Sequence, residues 1–120
     1  DLTRADEVAE RDGQAQVLLD FWAAHGKSLA VFAGDYNSDP SDPAYARTVG
    51  GGLVDALRLA GLGDRITFRS TGTPFLPAGT EQIDYVFVNP STRVVAAAIP
   101  DTEVSDHYPL LVTLDLARAP

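Results

Sequence analysis

A chain of 120 residues is one domain's worth of length, and 45% hydrophobic against 22% charged residues describes a globular domain rather than a disordered one. A formal net charge of −8 argues against a grip on nucleic-acid backbone through bulk charge, but it suits a carboxylate-rich site for a hard cation such as magnesium. The absence of cysteine excludes disulfides and thiolate metal sites, and the apolar runs fall far short of the roughly 20 residues a membrane-spanning helix needs.

Asp1 to Asp6 reads as a loop entering a helix, with Thr3 or Asp6 as the N-cap. The helix is predicted from about Val8 to His25. Ala15, Leu18, Leu19 and Trp22 form one apolar stripe, Asp6, Glu7 and Glu10 favour its N-terminal dipole, and Gly26 stops it. Arg11 and Gln14 lie one turn apart and can share a site, although a solvated helix face accounts for them as well. Leu29 to Ala33 is a short buried strand that ends abruptly in Gly34-Asp-Tyr-Asn37. Extended residues at i and i+2 share a face, so Asp35 and Asn37 can address one pocket, and Gly34 permits close approach or positive φ.

Asp42-Pro43 opens a short helix over Ala44 to Val49, which Gly50-Gly-Gly52 breaks. A second short helix is predicted over Val54 to Leu59. Ile66 to Phe68 reads as a strand and Arg69 to Glu81 as an irregular loop, with 69–80 the candidate specificity loop. Gln82 to Val88 is a strand with Ile83, Tyr85 and Phe87 on one face and Asp84, Val86 and Val88 on the other. Further strands run over Arg93 to Ile99 and Leu110 to Leu116, and Ala117 to Pro120 is a tail. The order of elements predicts an α/β (α+β) layer with mostly antiparallel pairing, one of whose sheet faces needs a layer from outside the chain.

Three polar stretches stand at strand ends. Asp84 sits in an apolar strand, where a carboxylate is costly to bury without a partner. Ser105-Asp-His107 offers that partner, because a carboxylate on one imidazole nitrogen fixes the tautomer, raises basicity and leaves the other nitrogen for substrate. His25, at a helix end, is accounted for as a cap. Asp35, Asn37, Asp84, Asp106 and His107 together hold oxygen ligands, an amide and a supported imidazole, but no Gly-x-Ser-x-Gly nucleophile. Water is the expected attacking group, with a divalent cation on the substrate oxygen, and phosphoryl hydrolysis suits that inventory. A nucleotide-binding domain is disfavoured, since Gly50-Gly-Gly52 is too short for a phosphate loop and lacks a lysine.

In this order, Gly34-Asp-Tyr-Asn37, Ile83-Asp-Tyr-Val86 and Ser105-Asp-His107 followed by Tyr108-Pro-Leu110 resemble the endonuclease/exonuclease/phosphatase (DNase I-like) superfamily. Arg11-x-x-Gln14 and Thr67-Phe68 fit the same resemblance, which covers about Asp6 to Leu116. It implies Asp35 acting on the attacking water, Asn37 holding phosphate, Asp84 bonded to His107, and a protonated His107 donating to a phosphate oxygen. It also implies Asp106 and Asp35 serving a metal site for Mg2+ (or Mn2+ or Ca2+). Tyr36 stands where phenylalanine is usual.

The resemblance is to the C-terminal half alone of a two-layer β-sandwich with outer helices, so 1–120 reads as half of such a domain. The opening half, with the glutamate that is the main metal ligand, is expected upstream of Asp1, as a separate chain, or replaced by a homodimer through an exposed sheet. The implied substrate is a phosphoester: nucleic acid, phospholipid or sugar phosphate. The alternative is a non-catalytic interaction module of the same fold. An extracellular or membrane-associated parent protein is compatible with the resemblance.

Overall fold

Helix α1 (Arg4–Ala24) starts a turn earlier than its apolar stripe suggests. Thr3 and Asp6 form a reciprocal capping box, with Thr3 Oγ1 accepting from Asp6 N at 3.2 Å and Asp6 Oδ2 accepting from Thr3 N at 3.1 Å. These groups belong to a computed structural model that describes residues 3–70 and 79–116. The helix ends at His25, and Gly26 follows at φ +69, the left-handed conformation glycine tolerates best. Strand β1 (Val31–Asp35) carries the chain to Asp35 and is followed by helix α2 (Pro43–Gly50). Asp42 is the α2 N-cap, but its side chain accepts from Asp39 N at 3.0 Å instead of from the helix.

The predicted helix over 54–59 divides in two. Val54 and Asp55 form strand β2 (Val54–Asp55), opposite Val88 and Phe87, and helix α3 (Ala56–Leu59) begins only after Asp55 caps it, accepting from Leu57 N and Arg58 N. The stretch expected to be an irregular loop also contains regular structure: strands β3 (Phe68–Ser70) and β4 (Gly79–Glu81) pair antiparallel. Most of the candidate specificity loop, 71–78, and the tail, 117–120, lie outside the described residues. Strand β5 (Asp84–Val88) is buried at every position, and strands β6 (Arg93–Ala98) and β7 (Leu111–Asp115) form a second ribbon.

Among the described residues every strand pair is antiparallel. The central sheet has the order β1-β5-β2. Its Tyr85/Phe87 face packs under the helices with Trp22, Tyr45, Leu53, Leu18, Leu19 and Phe32. The Val86/Val88 face packs with Ala56, Val94, Leu110, Val112 and Leu114. The β6–β7 ribbon thus supplies much of the layer expected from outside the chain. It does not reach β1: Val31 and Ala33 lie opposite Val88 and Val86, yet stay exposed while their partners are buried. Among the described residues no helix is long and apolar enough to cross a membrane.

Candidate active site

β1 and β5 pair in register, with Asp35 opposite Asp84. Residues directly opposite across an antiparallel pair share a face, so the two carboxylates lie side by side. Like charges in that position destabilise a sheet unless something cationic stands between them. His107 does so. Its Nδ1 lies 2.9 Å from Asp84 Oδ2 and its Nε2 lies 3.8 Å from Asp35 Oδ2. The Asp84 hydrogen bond is the main cause that holds the imidazole pKa above its ordinary value; burial opposes it, and the charges of Asp84, Asp35 and Asp106 add to the rise.

The backbone around these groups is tied at several points. Gly34 takes φ +158 with open space where a Cβ would stand, so its role is conformational and not close approach. Asn37 takes φ +50, a left-handed conformation that asparagine accepts, and its N–H donates to Asp35 Oδ1 at 2.8 Å. Tyr36 N donates to Ile83 O at 2.7 Å, and the buried Tyr85 hydroxyl donates to Ser38 O at 2.8 Å and Gln82 O at 3.0 Å. The turn after β1 is thereby fixed to the start of β5.

Thr67, which enters the resemblance only as part of the Thr67-Phe68 pair with no role attached, organises the site. It is fully buried, and its Oγ1 accepts from both Ile83 N at 2.9 Å and Asp84 N at 3.0 Å. Its carbonyl accepts from Tyr108 N at 2.8 Å, beside His107, and Arg69 N donates to Asp106 O at 2.7 Å. Phe68 bridges to His107 along the backbone and stacks at a tilt on its ring, 4.8 Å between centroids. One short segment therefore holds Asp84 on one side and His107 on the other. The available signal was a threonine immediately before an aromatic residue at the strand's start.

Of the residues singled out from sequence, Asp35, Asp84 and His107 come together, with ligand atoms all within 4.8 Å of one another. Asn37 borders the same site, lining a pocket with Asp35. Asp106 is exposed, lies outside that three-residue cluster and acts on His107 through its charge. With one Asp35 oxygen holding the Asn37 N–H and an Asp84 oxygen committed to the imidazole, few oxygens remain for a cation. A divalent cation that keeps several of its waters could be held by the one or two carboxylates that remain.

A family model described as "Endonuclease/Exonuclease/phosphatase family" matches residues 2–107. The chain belongs to this family. Solved structures agree on the fold: a conserved protein of unknown function from Enterococcus faecalis V583 is 21% identical with a TM-score of 0.70 over 90% of this chain and 45% of its own. An endonuclease/exonuclease/phosphatase family protein from Bacteroides thetaiotaomicron is 24% identical with a TM-score of 0.69, covering 89% of this chain and 45% of its own. A mannosyl-6-phosphatase from Bacteroides thetaiotaomicron VPI-5482 is 22% identical with a TM-score of 0.67, covering 88% and 46%. No curated protein matches the chain. The chain thus spans less than half the length of these solved structures, and its helices and antiparallel sheets are part of a DNase I-like fold.

Proposed function

We propose that this chain supplies half of an active centre that hydrolyses a phosphoester with activated water and a divalent cation of the magnesium type. The observation that carries the reading is His107 held between the paired carboxylates Asp35 and Asp84. Asp84 fixes the imidazole through Nδ1, which leaves the Nε2–H directed toward Asp35 and open to an anionic oxygen. Asp35, half-exposed, orients the attacking water and takes its proton on Oδ2. Asn37 holds a phosphate oxygen through its carboxamide. As the water oxygen bonds to phosphorus and the ester oxygen leaves, His107 donates to the oxygen on which charge accumulates, which is where preorganised donors lower a barrier most. Asp35, with Asp106 at the rim, would hold the cation, and the cation would supply charge stabilisation on the phosphoryl oxygens.

Residues 1–120 serve as the C-terminal half of the complete domain. The other half, in cis or as a separate chain, brings the further carboxylate this cluster lacks. It packs against β1, whose outer edge is unpaired among the described strands and whose Val31 is 47% exposed. The test uses the complete protein with a simple aryl phosphate monoester and diester. Hydrolysis that requires Mg2+, stops with chelator and falls at least about 100-fold in Asp35→Ala agrees with electrostatic terms of this size. Absence of hydrolysis with any divalent cation refutes the reading and favours a non-catalytic module. Metal-independent hydrolysis removes the cation from it.

A further inference from the structure

Between Asp35 and Asn37, which stay exposed, the side chain of Tyr36 turns inward to the aromatic core under the helices. Its ring meets Tyr85 edge-on, 5.7 Å between centroids, and Phe87 at a tilt, at 5.2 Å. Its hydroxyl is hydrogen-bonded to the hydroxyl of Thr48 on α2. We infer that this bond makes Tyr36 a positioning residue: it ties the turn after β1 to α2 and so aims the Asn37 carboxamide at the phosphate. The inference deepens the hydrolase reading above and rests on it for its kinetic consequence.

The direction of the bond follows from Thr48. That residue is fully buried, and the single hydrogen of its hydroxyl goes to Ala44 O at 2.9 Å, so Thr48 Oγ1 accepts and the Tyr36 O–H donates. Burial raises the pKa of the Tyr36 hydroxyl, with the bond to Thr48 opposing, so the donor keeps its proton at neutral pH. The helix at the other end is well anchored. Arg47, next to Thr48, forks onto both Asp12 oxygens of α1 at 2.5 and 2.9 Å, and the Tyr45 hydroxyl donates to the buried Asp55 Oδ2 at 3.0 Å. Tyr36 N and Ser38 O are tied on the β5 side, to Ile83 O and to the Tyr85 hydroxyl; the Thr48 bond grips the same turn from the helix side. Asn37 follows at once, at φ +50. No protein group among the described residues holds its carboxamide, so the backbone alone aims it. Phenylalanine would fill the space of the ring equally well, so the tie belongs to the hydroxyl.

The test measures kcat/KM of the complete protein on phenyl phosphate with Mg2+ for Tyr36→Phe, Thr48→Val and Thr48→Ser, and for Tyr36→Phe combined with Asn37→Gly. Glycine accepts the left-handed backbone and removes the carboxamide. The inference expects Tyr36→Phe and Thr48→Val each to lose about fivefold, the size of one hydrogen bond, and Thr48→Ser, which keeps the hydroxyl, to match wild type. In the Asn37→Gly background the Tyr36→Phe loss should shrink to less than about twofold, because a residue that acts through the carboxamide then has nothing to position. An undiminished loss there makes Tyr36 a structural residue only and overturns the inference, as does wild-type kcat/KM in Tyr36→Phe. Each of these outcomes leaves the hydrolase reading standing. If phenyl phosphate is not hydrolysed at all, that reading falls, and a readout without turnover decides this one. The Asn37 side-chain amide signals should move in Tyr36→Phe and Thr48→Val and stay in place in Thr48→Ser; unmoved signals in the first two variants overturn the tie.

Discussion

Replacing Thr67 by valine keeps side-chain shape and removes one oxygen. That oxygen accepts from the amides of Ile83 and Asp84, at 2.9 and 3.0 Å, and donors and acceptor are all buried. A buried donor left without a partner costs about 1–3 kcal/mol, so two of them give about 2–6 kcal/mol, with the lower half expected because the start of β5 can shift toward water. With a urea m-value of about 1.5 kcal/mol/M, a loss of roughly 3 kcal/mol lowers the unfolding midpoint by roughly 2 M, a large part of a small domain's stability. The assay is urea unfolding of Thr67→Val beside Thr67→Ser, which retains the oxygen. The structure also requires a second effect, because the same residue anchors the segment next to His107: the His107 ring signals should move in Thr67→Val and not in Thr67→Ser. Equal midpoints in the two variants, or a loss below about 0.5 kcal/mol in Thr67→Val, would refute the claim that this hydroxyl organises the site.

Asp84→Asn should lower the His107 pKa, measured by NMR titration of the ring; an unchanged value would mean that the Nδ1 contact is not what raises it. Because folding raises that pKa above 6.5, the imidazole's contribution to stability is fully present below pH 6.5 and is lost as pH climbs through the folded value. Urea midpoints should accordingly fall from about pH 6.5 upward in wild type and fall less in Asp84→Asn. In the complete protein, His107→Ala should reduce kcat at least about 100-fold with a smaller change in KM, and near-normal turnover would remove His107 from the chemistry. Tyr85→Phe strips the hydroxyl from Ser38 O and Gln82 O and should cost about 1–2 kcal/mol by urea unfolding, loosening the turn that carries Asn37; an unaltered midpoint would show those bonds to be incidental.

Much of the frame was legible because it is written in local periodicity. The alternation in β5 separated Tyr85 and Phe87 from Val86 and Val88, and the structure buries the two pairs in two different cores. Asp84 stood out as a carboxylate in an apolar strand, and its imidazole partner was expected and is found 2.9 Å away. The cross-strand placement of Asp35 against Asp84 was not legible, since the register between segments so far apart in the chain is set by sheet packing and not by neighbours. Val54 and Asp55 misled for a related reason: a two-residue strand exists only because β5 offers it an edge, and Asp55 then caps the helix that composition alone had begun too early. Arg11 and Gln14 of α1 were equally readable as a solvated face, because nothing in a helical repeat announces that the opposite wall of a pocket is Asp35 and Asn37.

Because β5 is packed from above and below, its amides should be among the last in the chain to exchange with deuterium, opening only when the whole chain does. Asp84 rides on the first residue of that strand, whereas His107 is carried by a largely exposed stretch that meets it through a few backbone bonds. The pair therefore joins a strand buried at every position to a stretch that is largely exposed. Any on-off control of this centre would act by lifting the imidazole away, with the carboxylate staying where it is.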